Sequence, residues 1–187
     1  MDTSAHLAMK SLIEIQAEVD KRAALVGAAD HGSLPTYGQT EDFARPHVEV
    51  DSRGYHLVIV ERGQEQSRFT TRDLEELLYR IFEGLTSELA FVHELKHRVE
   101  GTDSRRTAFK RQIELLMQLS PGWAARASTM QKEVLSKHPF DDLGGVRARL
   151  ARELREAGHS PETAWQMACE RYPVPEVENR AQNQRDA

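Results

Sequence analysis

The sequence of 187 residues predicts an α+β protein that is mostly α-helical, and three observations support this fold class. Short apolar runs separated by glycine-containing turns occupy residues 47–69, which predicts a small three-stranded antiparallel meander. Apolar residues then recur at steps of three and four across 73–99 and 105–120, a spacing typical of long amphipathic helices. Two Ser-Pro pairs restart the helical pattern further on. We therefore expect the meander to be packed on a bundle of long helices, with a C-terminal helical pair.

The first element is an amphipathic helix over residues 4–29, which ends near Gly27. A connection rich in glycine and proline follows over residues 30–47. Connections of this length are uncommon inside compact domains and are often functional or mobile. We expect Tyr37 and Phe43 to attach this connection to the body of the protein.

The three strands are predicted at residues 47–50, 55–60 and 65–69. Gly54 ends the turn between the first two, and Gly63 lies in the turn between the last two. Three strands are the minimum for a stable sheet when one face is covered.

A long helix follows the strands. Thr70 or Thr71 is expected to cap it, with Asp73 near its exposed amide groups. Gly84 is expected to allow a bend in its middle. Its apolar stripe consists of Leu74, Leu78, Ile81, Phe82, Leu85, Leu89 and Val92. The stripe predicts one buried face along the whole helix.

Start and stop signals in the sequence predict the ends of the later helices. The Ser-Pro pairs at 120–121 and 160–161 each place proline at a first helical position. Between them, Asp141 or Asp142 is expected to cap a helix that Gly158 closes.

These elements predict three regions. An α+β domain occupies residues 1–140, a helical extension at 141–172 packs on it, and residues 173–187 form a disordered tail with too few apolar side chains to pack.

The composition excludes several classes of protein. A net charge of −5 argues against nucleic-acid binding as the main task. The single cysteine, Cys169, forms no internal disulfide, which suits a reducing compartment. The N-terminal residues lack the pattern of a signal peptide, and no apolar run reaches the roughly 18 residues of a membrane span. We therefore expect a cytoplasmic protein.

One string has the pattern of a catalytic site, His93-Glu94-x-x-His97, the zinc signature of metalloproteases. Residues four apart share a helix face, so both imidazoles could bind zinc while Glu94 polarises its water. Lys96 lies inside the string, however, and no spacing marks a third ligand. On a helical wheel centred on Leu78, Glu94 lies nearly opposite the apolar stripe. We interpret the histidines as boundary residues of a structural helix, and a zinc-dependent hydrolase is the alternative.

A further pattern is the order and spacing of a set of residues between Tyr55 and Trp123. Its members are Tyr55, Val58 to Gly63, Glu65, Thr70 or Thr71, Asp73 to Tyr79, Ile81, Phe82, Thr86, Leu89, Ala90, Glu94, Arg98, Asp103, Arg105, Arg106, Phe109, Gln112, Leu115, Leu116 and Trp123. This succession resembles the immunity protein 63 family of bacterial polymorphic toxin systems, over about residues 45–140. The resemblance implies a small cytoplasmic protein that binds and neutralises a cognate toxin.

The resemblance also suggests a role for one set of charged residues. In this interpretation Glu94 and Arg98 form a pair at i and i+4 on a helix. We expect the pair to meet Arg62, Arg105 or Arg106 in a partly buried ionic network, which fixes the fold and binds no ligand.

The candidate partner-binding residues lie in the connection at 30–47. They are Glu41 and Asp42, chosen for charge and expected exposure, together with Tyr37 and Phe43. Charge complementarity would speed association with a basic toxin. We expect a toxin domain as the partner, no nucleic acid and no membrane. We expect no enzymatic activity, no cofactor, no catalytic residue and no metal ligand.

Overall fold

The computed structural model describes residues 9–176. It confirms an α+β fold with more helix than strand. The elements in chain order are α1 (Leu12–Leu25), β1 (Thr36–Tyr37), β2 (Pro46–Asp51), β3 (Gly54–Glu61), β4 (Gln64–Thr71), α2 (Leu74–Lys96), α3 (Ser104–Leu119), α4 (Pro121–Lys137), α5 (Gly144–Glu156) and α6 (Pro161–Arg171). No helix within this range is long and apolar enough to cross a membrane.

The sheet has the strand order β1-β2-β3-β4. Strands β2, β3 and β4 form the predicted antiparallel meander. The expectation of three strands was wrong, because β1 adds a fourth strand that pairs parallel to β2. Thr36–Tyr37 is too short to show alternation, and proline and glycine surround it. Gly54 is required at its turn, since its φ is +148° and a Cβ there would lie 2.3 Å from the carbonyl oxygen of Thr71.

The two faces of the sheet differ in chemistry. One face carries Val48 and Leu57 as a cross-strand pair, and Val48 is buried. The other face carries a polar chain that crosses β3. In this chain Glu49 accepts one hydrogen bond from Arg68 at 2.6 Å, and its other oxygen lies 3.0 Å from Nε2 of His47. Val58 is buried on this second face, between His47 and Arg68 in the strand register, so polar and apolar side chains share it.

Helix α1 begins at Leu12, later than predicted, and residues 4–8 of the predicted helix lie outside the described residues. Ser11 and Glu14 form a capping box, in which the Glu14 carboxylate accepts the Ser11 N–H at 2.9 Å. The sequence signal for this start is the Ser-x-x-Glu spacing.

The start of α2 corrects the predicted cap. Thr71 belongs to β4, and its hydroxyl accepts the backbone N–H of Asp73 at 3.0 Å. The Asp73 carboxylate accepts the N–H of Glu75 at 2.9 Å, so Asp73 satisfies an amide of the first turn. The helix continues through Gly84 to Lys96 without interruption.

The later helices follow their Ser-Pro signals. Ser160 accepts the N–H of Thr163 at 3.2 Å and precedes a proline at the first helical position, as predicted. The predicted cap of α5 was wrong, because Leu143 is at its N-cap position and makes no side-chain hydrogen bond to the helix. Asp141 and Asp142 bind arginines instead. Helices α5 and α6 form the C-terminal pair and contact each other.

The chain divides into two compact units that interleave along the sequence. The first contains Met1–Glu88 and Leu115–Trp123, and the second contains Leu89–Glu114 and Ala124–Ala187. The predicted division at residue 140 stays a prediction. Residues 173–176 have no regular secondary structure, and the rest of the predicted tail, 177–187, lies outside the described residues.

The first unit has a core of large apolar side chains around Trp123. The indole ring stacks on Phe82 with a centroid distance of 5.9 Å and meets Tyr79 edge-on at 6.1 Å. Such aromatic pairs each contribute about 0.5–1.5 kcal/mol beyond the area that they bury. Other fully buried members are Ile15, Val19, Val48, Leu77, Leu78 and Leu116.

The second unit is built differently, with small side chains inside. Its buried apolar residues within the described range are all alanines: Ala90, Ala108, Ala124, Ala127, Ala151, Ala164 and Ala168. Its buried polar residues are Glu94, Gln112 and Arg147. Alanine lets helices approach closely while large apolar side chains remain at the surface.

Candidate partner-binding site

The connection between β1 and β2 contains an unusual left-handed turn. Asp42, Phe43 and Ala44 have φ values of 58°, 58° and 60° in succession. For residues with a Cβ this conformation costs roughly 1–2 kcal/mol each, and it is rare outside single positions. Backbone held in such a conformation indicates a segment whose shape is fixed by its surroundings and is often functional.

Hydrogen bonds fix the C-terminal end of the turn. The N–H of Ala44 donates to the carbonyl oxygen of Val60 at 3.0 Å, and the Arg45 side chain donates to the carbonyl oxygen of Leu34 at 2.9 Å. Arg45 also forms an ion pair with Glu41 at 2.5 Å. The turn is therefore tied to β3 and to the preceding connection.

The turn presents Phe43 to solvent. The Phe43 side chain is 91% exposed, more than any other large apolar side chain in residues 9–176. The prediction that Phe43 attaches the connection to the body was wrong, because the left-handed backbone directs the ring outward. An exposed aromatic ring on a fixed turn has the properties of an anchor at a protein interface.

Tyr37 and Phe43 are in different environments. Tyr37 lies in β1 and is half-buried, and its hydroxyl is buried without a hydrogen-bond partner among the described residues. Burial raises the pKa of Tyr37 well above its usual range, and the charge of Asp20 raises it further. Tyr37 thus attaches the connection to the sheet at the cost of an unsatisfied hydroxyl.

A groove of about 510 Å³ lies beside the turn and within the first unit. Phe43 lines one side of it, and residues 80–88 of α2 line another. Its apolar lining consists of Pro46, Leu57, Ile59, Ile81 and Leu85. Clefts of roughly 300–1,000 Å³ with an apolar lining and a few polar groups are typical binding sites.

The charged residues that line the groove are Arg45, Arg80, Glu83 and Glu88. The two guanidiniums already have acidic partners, since Arg45 pairs with Glu41 at 2.5 Å and Arg80 pairs with Glu76 at 3.7 Å. Glu88 lines the groove, is exposed, and has no ion-pair partner within residues 9–176. Among the described residues, the Glu88 carboxylate is therefore an unpaired negative charge at the groove, whereas both arginines are already paired.

The structure separates the residues of the expected ionic network. The Glu94 side chain is 3% exposed and accepts two hydrogen bonds of 2.9 Å from Arg98, which lower the pKa of Glu94. Arg105 binds Asp103 and Arg106 binds Asp142. Arg62 is exposed, and its ion-pair partner is Glu61 at 4.0 Å. The Glu94–Arg98 pair is formed as expected, and the arginines predicted to join it have other partners.

The burial of Glu94 contradicts the helical wheel. The buried positions of α2 move from Phe82 through Thr86 and Ala90 to Glu94, four residues at a time. Val92, from the predicted stripe, is 38% exposed. A step of four residues advances by about 400° and so drifts around the helix, and the buried face rotates with it.

The geometry around His93 and His97 does not fit a zinc site. The two rings stack with centroids 4.1 Å apart, and Nδ1 of His97 lies 2.9 Å from the carbonyl oxygen of His93. Both oxygens of Glu94 bind Arg98, so this carboxylate is not free to activate a water. No group of three or more His, Cys, Asp or Glu residues that could hold a metal occurs within the described range. We derive no catalytic step from this string.

The groove was not predicted from the sequence. Leu57 and Ile59 lie within an apolar run that is typical of a strand, and Gly84 was expected only to allow a bend. A glycine in the middle of a long amphipathic helix was the available signal, because glycine there is unfavourable and needs a reason.

A family model matches part of the chain. The model of the family described as Immunity protein 63 matches residues 51–133, from the end of β2 to within α4, and this confirms the resemblance. The match includes Leu57, Ile59 and Gly84 in the groove and excludes the turn at 42–44. Searches of curated proteins and of solved structures found no match.

Proposed function

We propose that this chain, whose residues 51–133 match the immunity protein 63 family, is an immunity protein that binds and neutralises a cognate bacterial toxin. The toxin would be the toxic domain of a secreted protein of a polymorphic toxin system. Inhibition would be stoichiometric, by covering the active site or another required surface of the toxin. The action is proposed to take place in the cytoplasm, without enzymatic chemistry, nucleic acid or membrane.

The observation that supports a binding role most directly is the exposed Phe43 on a left-handed turn. A ring that is 91% exposed contributes little to the stability of the free protein. A fixed turn loses little conformational entropy on binding, so the ring can contribute most of its burial energy to a complex. Glu41 and Asp42 beside it would attract a basic surface and raise the association rate.

Co-expression tests the proposal. The probe is the toxin domain of the secreted protein encoded beside this chain. We expect the chain to restore growth to cells that make this domain and to purify with it in a fixed molar ratio. Failure of both growth rescue and co-purification would remove the proposed function.

Phe43→Ala tests the proposed contact. Because the ring is exposed, the free energy of unfolding should change by less than about 0.5 kcal/mol. The dissociation constant for the toxin domain should rise at least tenfold, as for an aromatic anchor. Ile13→Ala is the matched control, because Ile13 is 80% exposed and lies on α1. Equal effects of the two substitutions on binding would contradict a special role for Phe43.

A further inference from the structure

We infer that the groove beside Phe43 receives an apolar side chain of the toxin that is flanked by a lysine or arginine. This inference rests on the proposed function and adds the chemistry of the occupant. Three features of the groove support it: its apolar lining, a glycine in the middle of α2, and the negative charge of Glu88 in its lining.

The apolar lining is preformed. Leu57 and Ile59 project from β3 and are half-buried, while Ile81 and Leu85 of α2 are 6% and 3% exposed. The partly exposed strand residues leave apolar surface that an incoming side chain can cover. Arg80 lies over the ring of Phe69 at 5.1 Å and pairs with Glu76, which holds this side of the groove in place.

Gly84 has no packing role in the free protein. It lies in the interior of α2, is exposed and lines the groove, and a Cβ built there meets no atom within 4 Å. Its φ is not in the left-handed region, so the backbone does not require glycine either. Glycine at such a position is less favourable than alanine. Close approach of a partner to the helix surface supplies the missing reason.

The charge beside the groove favours a basic flanking residue. The lining contains two bases, Arg45 and Arg80, and each of them is already paired with an acid outside the lining, Glu41 and Glu76. Asp42 and Glu88 have no cationic partner within residues 9–176. A lysine or arginine next to the apolar anchor would therefore meet uncompensated negative charge, and an acidic residue there would be repelled.

The groove is assembled from two parts of the sequence. The glycine and the apolar strand residues lie within the family match at 51–133, whereas Phe43 and Asp42 lie before it.

Gly84→Leu is the first test, with the toxin domain encoded beside this chain as the probe. Leucine is a good helix former and has open space at this position, so the melting temperature should stay the same or rise by a few degrees, about 1–4 °C. The side chain fills the groove, so the dissociation constant for the toxin domain should rise at least tenfold. Gly145→Leu is the matched control, because Gly145 is an exposed glycine of α5 with no atom within 4 Å of a built Cβ.

Glu88→Lys tests the charge, with Glu133→Lys on α4 as the control at another exposed acid. We expect Glu88→Lys to weaken binding at least fivefold and Glu133→Lys to leave it unchanged. If the unchanged protein binds the toxin domain and Gly84→Leu binds equally well, the groove is not the site, while the immunity function stands. If Glu88→Lys strengthens binding, the proposed lysine or arginine next to the apolar anchor is wrong. No binding by the unchanged protein would overturn both proposals.

Discussion

Asp103 and Arg105 form a double hydrogen-bonded ion pair at the start of α3, in the second unit. Arg105 Nη2 lies 2.6 Å from Oδ2 of Asp103 and Nε lies 3.0 Å from Oδ1, and the Asp103 side chain is 9% exposed. The same guanidinium donates to the carbonyl oxygens of His138 and Pro139 at 2.8 Å each. Asp103 therefore attaches the turn before α3 to the segment that follows α4.

The first prediction concerns this pair and pH. The pKa of Asp103 lies well below its usual range, mainly because Arg105 donates hydrogen bonds to the carboxylate. A carboxylate with a depressed pKa in the folded state adds stability above its unfolded pKa, about 3.9, and this stability is lost as pH falls below that value. We expect Asp103→Asn to lower the free energy of unfolding by about 1–3 kcal/mol at pH 7. The difference from the unchanged protein should shrink below about pH 4.

Denaturant unfolding at pH 7, 5 and 3 measures this difference. Asp30→Asn is the control, because Asp30 is exposed and has no ion-pair partner in the described part of the chain. We expect a change below about 0.5 kcal/mol for the control at every pH. A loss in Asp103→Asn that is the same at pH 3 and pH 7 would argue against the ion pair as its cause.

The second prediction concerns the backbone of the partner-binding turn. Ala44 has a φ of 60°, and its N–H donates to the carbonyl oxygen of Val60. Glycine at this position can donate the same hydrogen bond. Ala44→Gly removes the steric cost of the left-handed conformation, so the free energy of unfolding should rise by about 0.5–1 kcal/mol. The same change at Ala125, an exposed position inside α4, should lower it by about the same amount. Denaturant titration measures both free energies of unfolding. If Ala44→Gly and Ala125→Gly shift this free energy in the same direction, the left-handed conformation of Ala44 is contradicted.

The third prediction concerns the unsatisfied hydroxyl of Tyr37. Tyr37→Phe removes a buried group without a partner, so the free energy of unfolding should rise by about 1 kcal/mol at pH 7. The pKa of Tyr37 is raised in the folded state, so its contribution to stability is lost as pH rises above the unfolded value of about 10. The advantage of the phenylalanine variant should therefore grow above that pH.

Tyr55→Phe is the matched control for Tyr37→Phe. The hydroxyl of Tyr55 accepts the backbone N–H of Lys10 at 2.8 Å, and the residue is 4% exposed. Removal of this hydroxyl leaves a donor unsatisfied and should lower the free energy of unfolding by about 1 kcal/mol. Thermal or denaturant unfolding measures the stability of both variants. If Tyr37→Phe is less stable than Tyr55→Phe, the Tyr37 hydroxyl has a hydrogen-bond partner.

The regular elements could be predicted from local patterns. The Ser-Pro pairs set the first residues of α4 and α6, and the glycines at 54 and 63 set the two hairpin turns. Strand β1 could not be predicted, because a two-residue strand depends on its partner β2 and shows no period of its own.

The candidate site was predicted in part. Charge and expected exposure predict Glu41 and Asp42 as contacts, together with Tyr37 and Phe43. The structure places Phe43 on the groove, while Tyr37 lies in the sheet. Their roles in binding stay predictions. The groove brings together residues 43 and 84, which are 41 positions apart in the sequence, so no local pattern could join them.

The sequence by itself determined the order of the helices and of strands β2 to β4, and the family resemblance, because caps, turns and apolar periods act between near neighbours. Only the tertiary structure decided that Glu94 is buried, that Phe43 points into solvent, and that Gly84 borders a groove lined by Glu88. Those facts depend on which surfaces meet across distant parts of the chain, and on a backbone conformation at 42–44 that surrounding hydrogen bonds impose against local preference.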